Sequence, residues 1–400
     1  MTKHPAPLPL SSLLVADFSR VLAGPYCTMT LGDLGAEVVK IERPSGDETR
    51  AFGPPFVDDE SAYYLGVNRN KRSIVLDLHD AEDLRVARAL AERADVVLQN
   101  FRPGVMARFG LDEPTIRRAN PGVVYCSISA FGTAAGHELA GYDLLVQALG
   151  GLMSITGPDV DNPTKVGVAV VDVLAGLFAT VGILAALRER DRSGQGQHVE
   201  INLMSALLSA LANQSASYVL TDQIPRAMGN GHASIAPYDT YPTGDGTLVL
   251  AVGNDKQFAQ LCDALGISGL AQDDRFRTNE LRVRNRAPLR EQLERALASN
   301  SAAYWSKALP ALGVPAGAVN NIAEAFALAE ELGLQPIRTT EDGDIRFGAQ
   351  VASPINLSTT PVSYRTRAPL LGEHSAEIRS WLTRRRWLPK KYQALSELAG

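Results

Sequence analysis

Short apolar segments alternate with helical segments along the first 130 residues, and this alternation limits the fold more than any other feature of the sequence. The segments predicted as strands are Leu13–Phe18, Glu37–Glu42, Ser73–Leu78, Val96–Gln99 and Val123–Ile128. The helices predicted between them are Gly24–Leu34, 80–93 and 112–119. Strands that alternate with helices form a parallel sheet with helices packed on its faces. We therefore predict an α/β fold whose large domain is a doubly wound, Rossmann-like parallel sheet.

The rest of the chain predicts a second, smaller domain, in keeping with a length of 400 residues. Apolar helices are expected at 172–190 and 200–220, followed by a loop-rich stretch, a strand at Leu248–Val252 and mostly helices over 255–312. We expect a large domain over 1–220 and a small α+β domain over 225–325. A C-terminal segment, 330–400, would return to the large domain and carry a last helix at about 373–386.

Composition excludes several classes of protein. A hydrophobic content of 45% and a charged content of 21% are those of a globular chain. The net charge of -5 argues against a nonspecific nucleic-acid binder, which needs a cationic surface. Cys27, Cys126 and Cys262 lie far apart, so we expect no disulfide framework, no metal centre and a reducing, cytoplasmic location. The first ten residues lack the apolar core of a signal peptide, and none is expected.

One apolar segment is long enough to span a bilayer. Residues 166–187 carry a single charge, Asp172, over 22 positions. The internal carboxylate and the glycines Gly167, Gly176 and Gly182 argue instead for a buried helix. We expect no membrane association.

Asp172 also has the strongest chemical signal in the chain. An ionised carboxylate in an apolar stretch costs several kcal/mol unless it is paired or hydrogen-bonded. One interpretation is an N-cap, since the helical run begins at Val173 and Asp is favoured in that position. The other is a catalytic or binding role, because a helix N-terminus also stabilises an anionic group. The residues alone leave both open.

Cationic segments follow or precede the predicted strands. Loops at the carboxyl ends of parallel strands form the ligand crevice, so Arg43, Arg102 and Arg108 could contact phosphates; ordinary solvation is the alternative for each. The segment Arg69–Arg72 has a similar position. His232 lies in a glycine-rich loop, where a structural role and a role in a site are both open. No dinucleotide fingerprint, P-loop, HExxH or GxSxG motif occurs.

An ordered set of motifs covers nearly the whole chain. The motifs are Ala23–Tyr26, Leu31–Glu42, Asn68–Ser73, Asn100–Gly104, Gly141–Asp143, Gly151–Gly157, Val170–Gly176 and Arg367–His374. Together they resemble the class III CoA-transferases of the CaiB/BaiF type. That family also holds formyl-CoA and carnitine CoA-transferases and the α-methylacyl-CoA racemases.

The resemblance implies a fold, a reaction and a set of site residues. It implies an interlocked homodimer that binds acyl-CoA and a carboxylic acid as substrates, with no permanently bound cofactor. The catalytic aspartate of the family falls on Asp172, which would form a mixed anhydride and then an aspartyl-CoA thioester. The family's coenzyme A contacts match Leu22, Ala23, Arg43, Leu76, Asn100, Phe101 and Arg108.

Two other functions, racemisation and simple acyl-CoA binding, compete with CoA transfer. The racemases use a histidine in a Gly-His-Asp triplet, but Tyr142 takes its place here, and a phenol with a pKa near 10 is a poor base at neutral pH. A non-catalytic acyl-CoA-binding protein would not need Asp172. Within the transferases, the segments 47–65 and 231–238 are similar to succinyl-CoA:glutarate and acetyl-CoA:oxalate enzymes. We therefore expect a C4–C5 dicarboxylate substrate, bound by His232, Ser234 and Tyr142.

Overall fold

The chain forms two compact units in a computed structural model that describes residues 7–383. The first unit is made of the residues up to Leu152, the segment Val166–Asp222 and the chain from Gln335 onward. The second is made of Met153–Lys165 and Gln223–Leu334. Met153–Lys165, which the sequence analysis assigned to the large domain, thus groups with the second unit.

The first unit is built on a six-stranded parallel sheet, which confirms the predicted α/β fold. The six strands of this sheet are β1 (Leu14–Asp17), β2 (Glu37–Glu42), β5 (Lys71–Val75), β6 (Val96–Gln99), β7 (Val124–Ser129) and β8 (His198–Asn202). Two strands of two residues each, β3 (Phe56–Val57) and β4 (Glu60–Ser61), form a separate hairpin. The order across the sheet is β5-β2-β1-β6-β7-β8. The order reverses between β1 and β6, and ligands bind at such a switch point, outside the carboxyl ends of the strands.

Nine α-helices lie between Ala23 and Thr221, and a further helix of this unit lies near the end of the described residues. The nine are α1 (Ala23–Asp33), α2 (Ala62–Gly66), α3 (Ala81–Arg93), α4 (Val105–Arg108), α5 (Glu113–Ala119), α6 (Asp143–Leu149), α7 (Val170–Ser193), α8 (Leu203–Ala210) and α9 (Asn213–Thr221). Short 3-10 turns lie at Glu48–Ala51, Met153–Ile155 and Ser268–Gln272. The start of α3 shows why the sequence folds locally, since the Asp80 carboxylate accepts hydrogen bonds from the backbone N–H groups of Glu82 and Asp83.

Helices cover both faces of the sheet. On one face, α1, α7 and α8 bury side chains such as Cys27, Ala179 and Leu207 against Val15 and Leu98. On the other face, α3 and the C-terminal helix form a second core over the alternate strand residues. Because strands covered on both sides bury every side chain, they have the continuous apolar runs that made β1 and β6 predictable.

Two predicted elements differ in extent from those observed. The helix expected at 200–220 is present as two helices, α8 and α9, but the residues before them form the strand β8, which was not predicted. β8 pairs only with β7, at the edge of the sheet, so it has the polar–apolar alternation of a half-buried strand rather than a continuous apolar run. The strand expected at Ser73–Leu78 lies at Lys71–Val75, because Lys71 and Arg72 are neutralised by carboxylates in the fold.

α7 is 24 residues long and, by length and composition alone, apolar enough to cross a membrane. It packs in the first unit against α1, α8, β7 and β8. One strip of its surface, including Leu177, Phe178 and Val181, stays exposed in the single chain. The helix is therefore a core element with one apolar face left uncovered.

The second unit has its own core. Its elements are β9 (Tyr238–Pro242), β10 (Thr247–Ala251), β11 (Ala316–Ala318), α10 (Asp255–Ala264), α11 (Asn279–Arg284), α12 (Arg286–Leu297), α13 (Ala302–Ala311) and α14 (Ile322–Glu331). The three strands form an antiparallel sheet in the order β11-β10-β9. Phe258, Leu293 and Trp305 pack on it from the helices.

The C-terminal part of the chain belongs to the first unit. It forms the hairpin β12 (Ile337–Thr339) and β13 (Ala349–Val351) and the helix α15 (Ser375–Thr383). Ile378 and Leu382 of α15 join the core on the α3 side of the parallel sheet. The predicted helix 373–386 is thus present through Thr383, and Arg384, Arg385 and Arg386 lie outside the described residues.

Candidate active site

Asp172 lies in the first turn of α7, half-buried, with its carboxylate unbonded. The helix begins at Val170, so Asp172 is its third residue, and the predicted N-cap role is wrong. No side chain or backbone group between residues 7 and 383 donates a hydrogen bond to the carboxylate. The electrostatic cost of burying it is therefore uncompensated.

Asp143 takes the capping role that was predicted for Asp172. Its Oδ1 accepts hydrogen bonds from the backbone N–H of Val171 at 2.8 Å and of Asp172 at 3.3 Å, while Oδ2 accepts from Gln147. These N–H groups, which a helix start would otherwise offer to a ligand, are therefore occupied. Asp143 fixes the start of α7 and adds a second negative charge close to Asp172.

Burial and the neighbouring Asp143 raise the pKa of Asp172 to about 7. Desolvation disfavours the ionised form, and a like charge adds to that effect. A carboxylate with a strongly raised pKa and no partner is typical of a functional site. At neutral pH the group is poised between its protonated and nucleophilic forms.

One tyrosine, Tyr63, lies near this carboxylate, and a second, Tyr142, is the chain neighbour of Asp143. Tyr142 immediately precedes Asp143 at the start of α6 and is largely exposed. Burial raises the pKa of Tyr63 to about 12, and the charges of Asp172 and Asp143 contribute to that rise. Sequence reasoning missed Tyr63, because a single tyrosine in a short helix carries no spacing or charge signal; only the fold brings it to Asp172.

Gly176 brings α7 against the start of α1. A Cβ built on Gly176 would lie 2.6 Å from the backbone oxygen of Ala23, so only glycine allows this approach. Residues four apart share a helix face, and Asp172 is therefore on the same face, one turn earlier. The predicted contacts Leu22 and Ala23 are buried at the beginning of α1, beside this part of α7.

The turn between β1 and α1 is held in an unusual conformation. Val21 has a φ of 66°, a left-handed value that is strained for a β-branched residue. Its N–H donates to both oxygens of Asp47 at 3.3 Å. The Asn100 amide accepts from the N–H of Arg20 at 2.9 Å and donates to its carbonyl at 2.7 Å. Asn100, predicted to contact coenzyme A, therefore fixes the turn before Leu22 through two hydrogen bonds to the backbone of Arg20.

A cavity of about 650 Å³ lies at the carboxyl ends of β1, β2, β5 and β6. Its size is that of a small-molecule site. Four of the seven predicted coenzyme A contacts line it: Arg43, Leu76, Phe101 and Arg108. This is the crevice at the switch point of the sheet, which the strand order predicts.

The cavity has exposed cations at its rim and a buried charge network beneath them. Arg43 pairs with Glu48 at 3.2 Å and is half-exposed, and Arg108 is exposed without an ion pair among residues 7–383. Arg20 lies over the Phe101 ring at 5.0 Å. Below them, fully buried Lys40 donates to Asp47 at 2.8 Å and, although burial opposes it, lowers the pKa of Asp47 to about 2.

The cations of the segment Arg69–Arg72 are paired with carboxylates of the fold and do not line this cavity. Buried Arg69 pairs with Asp33 at 2.6 Å, and buried Lys71 pairs with Asp17 at 3.2 Å. These cations hold β5 and α1 to the sheet. Arg102 is exposed and lines a neighbouring cavity of about 500 Å³ at the ends of β6, β7 and β8.

His232 and Ser234 lie in the second unit, in the loop before β9. The Ser234 N–H donates to Nδ1 of His232 at 3.1 Å, and the His232 ring packs 5.2 Å from that of Tyr238. Because Nδ1 accepts, neutral His232 carries its proton on Nε2. That N–H makes no hydrogen bond within residues 7–383 and can serve as a donor to a ligand.

No group of three or more His, Cys, Asp or Glu side chains in the described chain could hold a metal ion. The site places an unpaired carboxylate near the phenol of Tyr63, and the same unit holds a cavity with cations at its rim. Such a set can perform nucleophilic substitution at a carbonyl group.

Comparison with known proteins gives one consistent result. The model of "CoA-transferase family III" matches residues 10–375. The succinate–glutarate CoA-transferase of Agrobacterium fabrum is 42% identical over 92% of this chain and 94% of its own length. The succinyl-CoA:glutarate CoA-transferase of Mus musculus is 39% identical over 92% and 85%, respectively. The crystal structure of a CaiB/BaiF family protein from Brucella suis has a TM-score of 0.84 at 40% identity, and the match covers 94% of this chain and 99% of that one.

Proposed function

The chain belongs to CoA-transferase family III and is a CoA-transferase, and we propose that Asp172 is its nucleophile and C4–C5 dicarboxylates are its acids. The observation that carries this proposal is the unpaired, half-buried carboxylate of Asp172 beside the start of α1. The relatives named for succinate and glutarate support the choice of acids.

The proposed reaction moves CoA from the donor acyl group to the acceptor acid through covalent intermediates on the Asp172 carboxylate. An oxygen of Asp172 attacks the donor thioester carbonyl, the C–S bond breaks, and a mixed anhydride and CoA thiolate form. The thiolate then attacks the side-chain carbonyl of Asp172, which releases the donor acid as a carboxylate and leaves an aspartyl-CoA thioester. The acceptor carboxylate attacks this thioester, and the freed thiolate takes the acceptor acyl group from the new anhydride. No proton is gained or lost overall, and each step is easier than direct exchange.

The surroundings of Asp172 suit these intermediates. Water would hydrolyse an anhydride, and the half-buried, apolar start of α7 limits its access. The N–H groups of Val171 and Asp172 are occupied by Asp143, so the oxyanion needs another donor set. We assign it to the first turn of α1, where the positive end of a helix dipole lies beside α7.

An exchange assay tests the proposal. Purified protein is mixed with succinyl-CoA and a panel of free acids, and new acyl-CoA species are separated by chromatography. We expect glutaryl-CoA and other C4–C5 products to form fastest. Racemisation of a 2-methylacyl-CoA without exchange, or binding without either reaction, would contradict it.

The pH dependence of the first half-reaction follows from the raised pKa of Asp172. The nucleophile is the ionised form, which is about a tenth of the population at pH 6 and about nine tenths at pH 8 when the pKa is about 7. The single-turnover rate of CoA transfer to Asp172 should therefore rise roughly tenfold from pH 6 to pH 8. Asp143→Asn removes the like charge and should move the midpoint of this rise to lower pH. A rate that is flat across this range would contradict the assignment.

Arg43 and Arg108 are proposed to bind the phosphates of coenzyme A, because both line the 650 Å³ cavity. Arg108→Gln should raise the KM for acyl-CoA roughly tenfold with little change in kcat, since a charge-assisted contact is lost in ground and transition states alike. Arg102→Gln is the matched control, because Arg102 is also exposed but lies outside this cavity. Equal effects of the two substitutions would show that only the general surface charge matters.

We further propose that His232 and Ser234 bind the distal carboxylate of the acid and that Tyr142 contacts its reacting end. The support is the free Nε2–H of His232 and the position of Tyr142 next to Asp143. His232→Ala should raise the KM for glutarate roughly tenfold, as expected for a lost hydrogen bond to a charged group. An unchanged acceptor KM would rule out this role.

We propose a cytoplasmic homodimer. Leu177 and Val181 of α7 are exposed, as are Leu144 and Leu149 of α6, and a second copy would cover this apolar surface. The three cysteines are buried and unpaired, which suits a reducing compartment. Light scattering in detergent-free buffer should give twice the chain mass of 42.9 kDa. A monomer, or a requirement for detergent, would contradict the dimer.

A further inference from the structure

Three arginines hold the loop that carries His232 and Ser234. Arg282, Arg286 and Arg290 are spaced four residues apart on α11 and α12 and face the chain from His232 to Thr240. Their guanidinium groups donate to backbone carbonyls along this loop: Arg282 to Ala236, Arg286 to His232, Ala233 and Ile235, and Arg290 to Thr240.

The first and last of these arginines are neutralised. Arg282, fully buried, donates to the Asp255 carboxylate at 2.7 Å. Arg290 pairs with Asp239 at 2.9 Å and with Glu294 at 2.6 Å. Their positive charges are therefore balanced within the second unit.

Arg286 differs because no carboxylate lies within ion-pair distance of it among residues 7–383. Its contacts are three carbonyl oxygens, those of His232 at 2.5 Å, Ala233 at 2.9 Å and Ile235 at 3.1 Å. Burial lowers the pKa of Arg286, against the influence of Tyr241 and Asp239, and Asp239 is already paired with Arg290. The guanidinium remains charged at all physiological pH values.

The position of Arg286 in its helix adds to the positive electrostatic potential at the His232–Ser234 turn. It is the first residue of α12, a helix of twelve residues, where the helix dipole is positive and a cation is disfavoured. The loop it contacts presents the Nε2–H of His232 and the exposed Ser234. An unbalanced cation, a positive helix end and free donors thus converge on one turn.

We infer that Arg286 is a specificity-determining positioning residue, whose uncompensated charge makes the His232–Ser234 turn selective for acids with a second carboxylate. The inference rests on the proposed function and deepens it. A dicarboxylate brings a second negative charge to this turn and is attracted; a monocarboxylate brings an alkyl end and gains nothing. Arg286 acts through the loop, because its own donors are directed at the carbonyls.

The test compares two acceptors of equal chain length, glutarate and pentanoate, with succinyl-CoA as the donor. In a double-displacement reaction, kcat/KM for the acceptor reports only the second half-reaction, so effects on the donor do not enter. Arg286→Gln removes the charge but keeps an N–H donor for the loop, and Arg286→Lys keeps the charge but loses the planar fork. Arg295→Gln is the matched control, since Arg295 is an exposed cation of the same helix that pairs with Glu291 at 3.6 Å and does not hold the loop.

We expect Arg286→Gln to lower the ratio of kcat/KM for glutarate over pentanoate roughly 10- to 100-fold, and Arg286→Lys to keep it within about threefold. Arg295→Gln should leave the ratio unchanged. The salt dependence of the glutarate KM should also weaken in Arg286→Gln. If both Arg286 variants lower kcat/KM equally for the two acids, Arg286 only shapes the loop and the inference is overturned. If wild-type protein exchanges no acid at all, the proposed function fails, and this inference with it.

Discussion

Asp172→Asn should abolish CoA exchange, lowering kcat by roughly 10³-fold or more, because an amide cannot attack the thioester as a carboxylate does. The substitution keeps the size of the side chain. Asp143 continues to accept from the N–H groups of Val171 and Asn at position 172, since those bonds use only the backbone of α7. The measurement is formation of glutaryl-CoA from succinyl-CoA, with Asp172→Ala beside it.

The same variant provides its own control for folding. The pKa of Asp172 is raised in the folded protein, to about 7, so the folded state holds the proton more tightly than the unfolded chain does. Stability contributed by the protonated group is therefore present at low pH and lost as pH rises from about 4 to about 7. Asp172→Asn removes this loss and should be more stable than wild type at pH 8, on the order of 4 kcal/mol, with little difference at pH 4.

The covalent intermediate gives an independent readout. Wild-type protein incubated with succinyl-CoA alone should gain the mass of CoA less one water, and hydroxylamine should release it. Neither Asp172 variant should show this adduct. Exchange that persists in Asp172→Asn, or an adduct on another residue, would sink the assignment of the nucleophile.

Features that depend on neighbouring residues in the chain were predicted from the sequence. Features that depend on contacts between distant residues were not. β2 and β6 were predicted to the residue, because Val38, Val39 and Ile41 in β2 and residues 96–98 in β6 are apolar and each strand ends at a polar residue. Asp172 was found because it is the single charge in such a run. Both signals are local, so the chain itself carries them.

Interactions between residues that are far apart in the sequence could not be predicted. The start of α7 is capped by Asp143, which is 28 residues before Val171 in the chain, so the sequence placed the cap on Asp172 instead. Tyr63 reaches Asp172 only through the fold. The four-residue spacing of Arg282, Arg286 and Arg290 is visible in the sequence, but their partners, mostly backbone carbonyls, carry no residue signal.

The buried charges at the end of β1 show the same limit, and they lead to the largest expected effect on stability. The Asp17 carboxylate, at the end of β1, accepts from Lys71 at 3.2 Å, from Thr28 at 2.5 Å and from the Ser19 N–H at 2.9 Å. Lys71 also donates to the Pro25 carbonyl at 2.9 Å. Both partners are fully buried, so neither charge can be rehydrated when the other is removed.

Asp17→Asn should therefore destabilise the fold by about 3–5 kcal/mol at neutral pH, because Lys71 is left buried with no compensating charge. Although burial opposes it, Lys71 and Lys40 lower the pKa of Asp17, so its contribution is present above the unfolded-state pKa and is lost as pH falls through the lowered value. The difference between variant and wild type should shrink accordingly in acid. Chemical denaturation at several pH values measures it.

Two further variants separate charge from packing. Asp17→Asn combined with Lys71→Met removes both charges and should recover part of the loss, since an apolar replacement needs no partner. Glu113→Gln breaks the exposed Glu113–Arg117 pair of α5 and should cost less than about 0.5 kcal/mol. A double variant as unstable as the single one would mean that the hydrogen bonds from Ser19 and Thr28, rather than the ion pair, hold the end of β1. In that case the turn that carries Val21 and Leu22 would depend on neutral contacts, and its position should not change with pH.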